Sequence, residues 1–480
     1  MHLSPPESSS GNDGAATRSE FGALLRLGSP LALGEVGWMS TYIVDAVMIG
    51  HLPHSALAIS ASSLGNSIFY AIGFAVIYLL NGLQTLVAQA YGRNDPCECI
   101  LLLAQSFWFV LLGTPLIIGG TLAAVAVLPH VGTPPEVLAE TRLYLHPLLW
   151  SAAPLLAYMC LRRFLQSCNS VLWVMASLLL ASGVNWFFDW LFLFGHLGVH
   201  PMGIAGSAWS TNVVRLFMLA LLVVGTAQTF HRLGHWPNLH MLRPEWCRLR
   251  ALFRIGWPSG IESLTELGTT TFLSILCARL GPVLLAANQV LIDLTALVFQ
   301  LSVGLGYATV VRVGQSAGRN DGPGVSRAAR VSLIFGATLM LGAGLLFAGL
   351  SHRWAALYTN SSAVVASATP LFKLCAFTLV TDTTLVLLAS ALTGIGDTRT
   401  PMLASLVWNW LIGMPLAFVL VTHAHFGLLG LWLGRSVGSL GMALTLLFLW
   451  QRRLASRPPP VRSLSTAYKT PALLHSRARA

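Results

Sequence analysis

The sequence of 480 residues has very little charge. Only 9% of its residues are Asp, Glu, Lys or Arg, while 55% are hydrophobic, and the mean hydropathy is +0.70. Because an average soluble domain carries about a quarter charged residues, a soluble enzyme is excluded. Lysine occurs only at Lys373 and Lys469, and neither follows a glycine. A phosphate-binding P-loop needs a Gly-Lys pair, so transport driven by an ATPase in this chain is also excluded, and we expect no enzymatic activity.

The sequence is equally poor in features that hold disulfides, metals or cofactors. Its seven cysteines are an odd number scattered along apolar stretches, which is not a disulfide framework. Cys97 and Cys99 lie close together, but two thiols fall short of a four-ligand zinc site. We therefore expect no cofactor.

Long apolar runs take the place of the missing charge. Crossing a bilayer takes about 20 apolar residues in a helix, and the runs here reach that length without the alternation of barrel strands. We predict an all-α polytopic membrane protein with twelve transmembrane helices. The predicted spans are 24–50, 56–83, 99–128, 141–165, 174–195, 203–226, 252–281, 286–314, 325–351, 368–394, 400–425 and 427–451.

The two halves of the sequence resemble each other. The matching pairs are LLRLGSP at 24–30 with LFRIGWP at 252–258, AYGRND at 90–95 with SAGRND at 316–321, and Asn185-Trp186 with Asn409-Trp410. Their separations of 228, 226 and 224 residues are nearly constant, which indicates a duplicated unit of six helices. Two such units share one orientation and are expected to be related by an axis along the membrane normal.

The repeat and the composition together divide the chain. The predicted parts are a disordered tail over 1–20, an N-lobe over 21–226 with helices 1–6, a linker over 227–251, a C-lobe over 252–452 with helices 7–12, and a basic disordered tail over 453–480. Arginines concentrate in the tails and in the loops after even-numbered spans, among them Arg162 and Arg163. The positive-inside rule then predicts that both termini lie in the cytoplasm, and we expect the protein in the plasma (inner) membrane. The same asymmetry explains the net charge of +11 without nucleic-acid binding.

Acidic residues occur inside the predicted spans, where they are costly. The seven are Glu35, Asp45, Asp189, Glu262, Glu266, Asp293 and Asp382. A carboxylate at the bilayer centre costs about 2.5 to 3.5 kcal/mol on insertion scales, so each needs a partner, a proton or a water-filled cavity. Glu35 and Asp293 have an equally good structural interpretation, as helix-end or protonated groups. Asn185 and Asp189 are four residues apart and therefore project from one helix face.

At these residues the sequence resembles the multidrug and toxic compound extrusion (MATE) family of secondary transporters, and its bacterial NorM-like branch in particular. The resembling stretches are STYIVDAVMIGHL at 40–52, LVAQAYGRND at 86–95, LRRFLQ at 161–166, NWFFDWLFLFG at 185–195, FRIGWPSGIESLTE at 253–266, AANQV at 286–290, VRVGQSAGRND at 311–321 and TDTTLVLLASALTGIGDTRTP at 381–401. The resemblance implies two six-helix bundles around a V-shaped cleft. It also implies export of cationic or amphipathic organic compounds in exchange for H⁺ or Na⁺.

The resemblance further implies roles for individual residues. Those matching positions that couple the ion in the family are Asp45, Asn185, Asp189, Thr211, Glu266 and Asp382. Those expected to contact substrate are Glu262, Glu266, Gln289 and Asp382. The N-lobe and C-lobe sets are both present, so the choice between H⁺ and Na⁺ stays open. We expect a monomer in the lipid bilayer.

The acids suggest how the ion and the cargo are coupled. Two aspartates close together in a low dielectric cannot both ionise cheaply, so Asp45 and Asp189 are expected to take up a proton, or to hold Na⁺ with the amide oxygen of Asn185 as a further ligand. We expect cationic cargo near Glu266 and Asp382, among aromatic residues. The aromatic residues proposed for this role are Trp38, Trp257 and Trp408.

One alternative function belongs to the same superfamily. A lipid-linked oligosaccharide flippase has a similar duplicated architecture, but it would need a basic cleft for its anionic head group. Only Arg215 and Arg435 lie deep inside predicted spans, against several carboxylates. These two arginines are interpreted as partners in internal ion pairs, which is the usual state of buried arginine in membranes.

Overall fold

A computed structural model describes residues 10–358 and 361–455, and within these ranges the chain is helical and contains no strand. The N-terminal half contains α1 (Ser10–Gly50), α2 (Ser55–Leu79), α3 (Asn81–Gly92), α4 (Pro96–Val127), α5 (Pro135–Trp150), α6 (Ala152–Ser167), α7 (Val171–Phe194) and α8 (Ile204–Leu233). The C-terminal half contains α9 (Trp246–Ala278), α10 (Pro282–Gly318), α11 (Gly322–Gly349), α12 (Ser351–Tyr358), α13 (Ser362–Gly394), α14 (Arg399–Ser405), α15 (Met414–Thr422) and α16 (Gly427–Ala455).

The helices account for the predicted membrane spans. Nine helical stretches among the described residues are long and apolar enough to cross a bilayer, and a tenth forms if α5 and α6, bent by 47°, count as one span. The other two of the twelve predicted spans correspond to α1 and α9, which are 41 and 33 residues long and carry carboxylates. The predicted all-helical membrane fold is confirmed.

The sequence repeat corresponds to a repeated turn. Asn94 and Asn320 both take the left-handed conformation, with φ of 58° and 57°. The next residue in each repeat caps the following helix, because Asp95 accepts from the backbone N–H of Glu98 at 3.0 Å and Asp321 accepts from that of Gly324 at 2.9 Å. The Arg-Asn-Asp sequence therefore occurs in both repeats because the same helix–turn–helix junction is formed twice.

The two lobes pack closely on the side of the molecule that carries these turns and the central linker, which we call the linker face. Glycines allow the backbones to approach: a Cβ added to Gly256 would lie 1.9 Å from the carbonyl oxygen of Leu79. Hydrogen bonds cross the same contact, from Gln89 Nε2 to the carbonyl oxygen of Gly394 at 3.0 Å and from Thr85 Oγ1 to that of Thr393 at 3.1 Å. Small residues at helix contacts are typical of membrane proteins.

The start of the chain differs from the prediction. Helix α1 begins at Ser10, so the predicted disordered tail over 1–20 is wrong for residues 10–20, and residues 1–9 lie outside the described ranges. The helical extension is held against the C-lobe, because Arg312 donates to both carboxylate oxygens of Glu20 at 2.8 and 2.6 Å. The predicted tail over 453–480 lies outside the described residues from 456 onward.

The linker is shorter than predicted and is bound to the N-lobe. Helix α8 continues to Leu233 and α9 already begins at Trp246, so only about half of the predicted 227–251 is without long helix. The side chain of Gln105 on α4 donates to the carbonyl oxygens of Met241 and Arg243 at 2.9 and 2.7 Å. The linker is therefore tied to one lobe.

Two arginines that we predicted in a loop are buried in α6. Arg162 and Arg163 are 3% and 2% exposed. Arg162 forms an ion pair with Glu35 of α1, which explains how that acid is accommodated in the membrane. The guanidinium of Arg163 lies 4.4 Å from the ring centre of Tyr307 on α10. The arginines therefore contribute to packing inside the protein, because α6 runs through them to Ser167 and they lie on the helix and not in the loop that follows it.

Candidate functional site

The first site forms inside the N-lobe, where α1, α7 and α8 meet. Asn185 on α7 donates through the same amide nitrogen to Asp45 Oδ1 at 2.6 Å and to Asp189 Oδ2 at 2.9 Å. Asp189 lies one helical turn after Asn185, so both side chains leave the same face of α7. The structure therefore brings together the three residues that the sequence indicated for ion coupling.

One oxygen of this cluster has no partner. Asp189 is fully buried and its Oδ1 atom accepts no hydrogen bond among the described residues. A buried carboxylate oxygen without a donor is costly unless a proton or a cation satisfies it. With the carboxylate of Asp45 and the amide oxygen of Asn185 nearby, the available ligands are oxygens, which suit a hard monovalent or divalent cation.

A small cavity adjoins the cluster. Its volume is about 40 Å³, which is space for a few water molecules. Its lining includes Trp38, Tyr42, Asp45, Tyr70, Asn185, Thr211 and Arg215. Thr211 thus lies where predicted, although its hydroxyl donates to the carbonyl oxygen of Ser207 at 3.0 Å. Within the described ranges, no group of three or more His, Cys, Asp or Glu side chains that could hold a metal is found.

The second site is a larger cavity inside the C-lobe. Its volume is about 170 Å³ and its walls come from α9, α10, α13 and α16. The polar and aromatic residues of its lining include Glu266, Asn288, Phe299, Thr378, Asp382, Trp432 and Arg435. Glu266 and Asp382 therefore share one cavity, as the sequence indicated.

The two carboxylates of this cavity are in different states of pairing. Asp382 Oδ2 accepts from Arg435 Nη2 at 2.8 Å, forming an ion pair across α13 and α16. Glu266 is exposed toward the cavity, and its carboxylate has no hydrogen bond or ion pair within residues 10–358 and 361–455. With one acid neutralised, the cavity presents a single free negative charge beside aromatic rings, which is an arrangement that attracts an organic cation.

Some predicted site residues lie elsewhere. Gln289 is on an exposed face of α10 and donates to Asp293 at 2.7 Å, away from the C-lobe cavity lining. Glu262 precedes Glu266 by one turn and does not line the cavity either. Both remain predictions as substrate contacts, but neither lines the cavity that Glu266 and Asp382 share.

The tryptophans expected beside the C-lobe acids are not there. Trp38 lines the N-lobe cavity, Trp257 lies against Arg399, and Trp408 donates to Thr445 at 2.9 Å. The aromatic side chains that do line the cavity are Phe299 and Trp432. Their sequence signal is weak because fifteen tryptophans and twenty-two phenylalanines are spread along the chain, and only helix packing decides which of them face inward.

The arginine interpretation holds for one of the two deep arginines. Arg435 pairs with Asp382, as expected, whereas Arg215 bonds to Tyr70 and Ser151 and has no carboxylate within ion-pair distance in the part of the chain described. The C-lobe cavity is lined by two acids and one base, and the N-lobe cavity by one of each, Asp45 and Arg215. Neither lining has the excess of basic residues that an anionic lipid head group needs.

Comparison with known proteins agrees with this architecture. The MatE family model matches residues 30–191 and 258–419, one stretch in each lobe. The chain is similar to a probable multidrug resistance protein NorM from Bradyrhizobium diazoefficiens, with 29% identity covering 95% of this chain and 98% of that protein. It is also similar to a protein of the same name from Xanthomonas campestris pv. campestris, with 30% identity over 86% of this chain and 90% of that one.

Solved structures show the same fold at low sequence identity. One is described as an outward-facing conformation of a multidrug resistance MATE family transporter, with a TM-score of 0.80, 19% identity, and 91% and 96% of the two chains covered. Another is a MOP superfamily transporter from Pyrococcus furiosus, described by the reverse polarity of its binding pocket, with a TM-score of 0.78, 19% identity and coverage of 92% and 97%. The chain therefore belongs to the MatE family of transporters, in its bacterial NorM-like branch.

Proposed function

We propose that the chain is a secondary active multidrug efflux antiporter that exports cationic or amphipathic organic compounds in exchange for H⁺ or Na⁺. It works in the plasma (inner) membrane with both termini in the cytoplasm, and the linker face is the cytoplasmic face. The observation that carries the proposal is the presence of one unsatisfied carboxylate in each lobe. Glu266 lines a cavity of about 170 Å³, and Asp189 is bonded to Asn185, which lines one of about 40 Å³.

The N-lobe acids are the site of the coupling ion. Asp45 and Asp189 are bridged by the amide nitrogen of Asn185. A cation that takes the place of this bridge gains oxygen ligands from both carboxylates, and rotation of the amide group adds the oxygen of Asn185. The cavity is too small for an organic molecule but large enough for an ion and its remaining waters. Because a proton or Na⁺ satisfies the same free oxygen, the geometry supports a monovalent cation and leaves its identity to experiment.

The C-lobe cavity is the site of the cargo. Its lining combines the free charge of Glu266 with the ring of Phe299, which together recognise an organic cation by charge and by cation–π contact. The ring of Trp432 is already paired with a cation, because the guanidinium carbon of Arg435 lies 5.3 Å from its centre. The ion pair of Asp382 with Arg435 lines the same cavity and keeps a second negative charge from being free.

Coupling requires that the two ligands favour different states of the transporter. The lobes are closely packed on the linker face, through contacts such as that of Gly256 with Leu79. If the ion stabilises one arrangement of the lobes and the cargo the other, each weakens binding of its partner by the same factor. An ion gradient can then drive cargo out.

The test uses purified protein in liposomes loaded with a fluorescent organic cation. A sodium gradient and a proton gradient are imposed separately, and release of the dye is followed in each case. We expect one of the two ion gradients to drive transport of the dye against the concentration gradient of the dye. Downhill dye movement that neither gradient accelerates would contradict antiport, and movement of a lipid-linked sugar without dye transport would favour the flippase alternative.

A further inference from the structure

Arg215 lies beside the ion site without a carboxylate bound to it. The side chain is buried, with 4% of its surface exposed, in a part of α8 that faces the N-lobe cavity. Its Nη2 atom donates to the hydroxyl of Tyr70 at 2.8 Å, and Nη1 donates to the hydroxyl of Ser151 at the bend between α5 and α6. The guanidinium carbon lies 5.1 Å from the ring centre of Phe69.

All direct partners of Arg215 are neutral. Its contacts are hydroxyl groups and aromatic rings, and none of the ion pairs among the described residues includes it. A guanidinium in a dry interior is strongly disfavoured unless a negative charge lies near it. The remaining acids of this lobe interior are Asp45 and Asp189, and Asp45 lines the same cavity of about 40 Å³ as Arg215 does.

The ionisable groups around this cavity come from five helices. They are Tyr42 and Asp45 on α1, Tyr70 on α2, Tyr144 on α5, Asp189 on α7 and Arg215 on α8. Because an ordinary tyrosine hydroxyl carries no charge near pH 7, the formal charge of the site is the sum over two carboxylates and one guanidinium. With both acids ionised, the sum is one negative charge.

We propose that Arg215 is the residue that fixes the number of monovalent cations carried per cycle at one. It acts as a permanent internal cation, held at a fixed place by Tyr70 and Ser151, that neutralises one of the two N-lobe aspartates. One H⁺ or one Na⁺ then completes the neutralisation, and a second cation would leave an uncompensated positive charge in the membrane interior. This inference rests on the proposed function, because it concerns the ion site of that antiport.

The charge balance makes a prediction about membrane potential. Exchange of one monovalent cation for one monovalent dye moves no net charge, so a potential across the liposome membrane leaves the wild-type exchange rate unchanged. In Arg215→Gln the cavity carries two negative charges and takes up two cations per dye, so a potential that favours entry of the ion accelerates exchange several-fold. Arg215→Lys keeps the charge and is expected to behave as the wild type.

A matched control lies on the same helix. Arg232 is an exposed residue near the end of α8 that donates to the carbonyl oxygen of Cys168 at 2.5 Å, and it does not line the cavity. Arg232→Gln also removes one arginine charge, and we expect it to leave the exchange insensitive to potential. Insensitivity of Arg215→Gln, or sensitivity of Arg232→Gln to the same degree, would overturn the proposal.

A second pair of variants separates charge from a merely structural role. Asp189→Asn leaves the site neutral, so ion-driven efflux is expected to fall at least about 100-fold, at the upper end of typical coupling between sites. The double variant Asp189→Asn with Arg215→Gln has one negative charge again, and efflux is expected to recover at least tenfold. A structural role of Arg215 predicts that the double variant is worse than either single one, and that result would overturn the proposal.

Equilibrium binding to the wild-type protein in detergent avoids dependence on any variant. Saturating titration with ²²Na⁺, or measurement of protons released when the pH is raised if protons drive transport, is expected to give one ion per chain that Asp45→Asn abolishes. Two such ions per chain would overturn the role of Arg215 even if its variants do not fold. Failure of the proposed function looks different, because the wild-type liposomes then show no exchange of dye for either ion.

Discussion

The N-lobe and the C-lobe are built from the same six-helix unit but use their charges differently. In the N-lobe two aspartates share one amide donor, and the arginine of the last helix stands apart from them. In the C-lobe the arginine of the last helix binds one acid directly and leaves Glu266 free. Each interior thus combines two of its acids with one arginine. The N-lobe has a compact cluster of two carboxylates and one amide, whereas the C-lobe has an open cavity with a single free negative charge.

The cavity volumes follow this difference. The N-lobe cavity of about 40 Å³ accommodates an ion with few waters, and the C-lobe cavity of about 170 Å³ accommodates part of an organic molecule. Duplication therefore supplies the scaffold and the orientation of the helices, while substitutions on the inward faces give the two lobes different cavities and different charges.

One helix shows how the repeated sequence has acquired a different geometry. Asn185 lies in the regular helix α7, whereas its counterpart Asn409 lies in the π-helical segment Leu406–Gly413 and donates to Ser405 Oγ at 3.1 Å. The extra residue per turn rotates the side chains that follow. The same Asn-Trp pair therefore contacts two carboxylates in one lobe and makes a packing contact in the other.

The largest effect is expected when one of the two clustered N-lobe carboxylates is removed. Asp45→Asn removes one of the two negative charges that hold the ion, so ion-driven dye efflux in liposomes is expected to fall by about 100-fold, while equilibrium dye binding in detergent stays within about threefold of wild type. Asp293→Asn is the matched control, because Asp293 lines neither cavity. Parallel loss of dye binding in Asp45→Asn would contradict the division between lobes.

The second largest effect is expected in the C-lobe. Glu266→Gln removes the free charge of the cargo cavity, and affinity for a monovalent dye is expected to fall roughly 10- to 100-fold, as for loss of a partly solvated ion pair. Binding of the ion by the N-lobe should be retained. Glu262→Gln, one turn away and outside the cavity lining, is the control. Equal losses in both variants, measured by dye fluorescence anisotropy, would show that Glu266 has no special role.

A smaller effect sharpens the role of the C-lobe ion pair. Asp382→Asn alone leaves Arg435 positive beside Glu266, and dye affinity is expected to fall about tenfold. The double variant Asp382→Asn with Arg435→Gln removes both charges of the pair and keeps the free charge of Glu266, so affinity is expected to return to within about threefold of wild type. If the double variant binds the dye as weakly as Asp382→Asn does, Asp382 itself contacts the cargo.

The smallest effects are expected at two residues that the family resemblance also indicated. The hydroxyl of Thr211 is already bonded to the backbone of its own helix, and Gln289 lies outside the cargo cavity. Thr211→Val is therefore expected to change the apparent ion affinity by about twofold, and Gln289→Ala to leave dye affinity unchanged within the same factor. Tenfold changes in either measurement would show that these side chains bind ligand directly in another state of the cycle.

The sequence was sufficient for the helices, the duplication and the main acids, because each of these leaves a local signal. Apolar runs mark the spans, the constant separation of the repeats marks the lobes, and a carboxylate in hydrocarbon marks Asp45, Asp189, Glu266 and Asp382. Spacing on one helix also predicted that Asn185 and Asp189 point the same way.

The sequence was insufficient where long-range packing decides. The charge of Arg162 suggested a loop, but its burial follows from pairing with Glu35 over a separation of 127 residues. Trp432 was not distinguished from the other tryptophans because its inward direction depends on how α16 packs against α10, where it donates to Asn288 at 3.0 Å. The helix at residues 10–20 was missed because its polar composition resembles a solvated tail, and contacts such as Glu20 with Arg312 are invisible in local sequence.

The most direct test of the division between the lobes is dye affinity measured against ion concentration in the purified wild type and in Asp45→Asn. For the wild type, we expect rising concentrations of the coupling ion to weaken dye binding, since the two ligands favour different states. For Asp45→Asn, dye binding should persist at full strength and no longer respond to the ion. An ion response that survives in Asp45→Asn, or dye binding that is lost with it, would contradict an ion site in the N-lobe that is separate from a cargo site in the C-lobe.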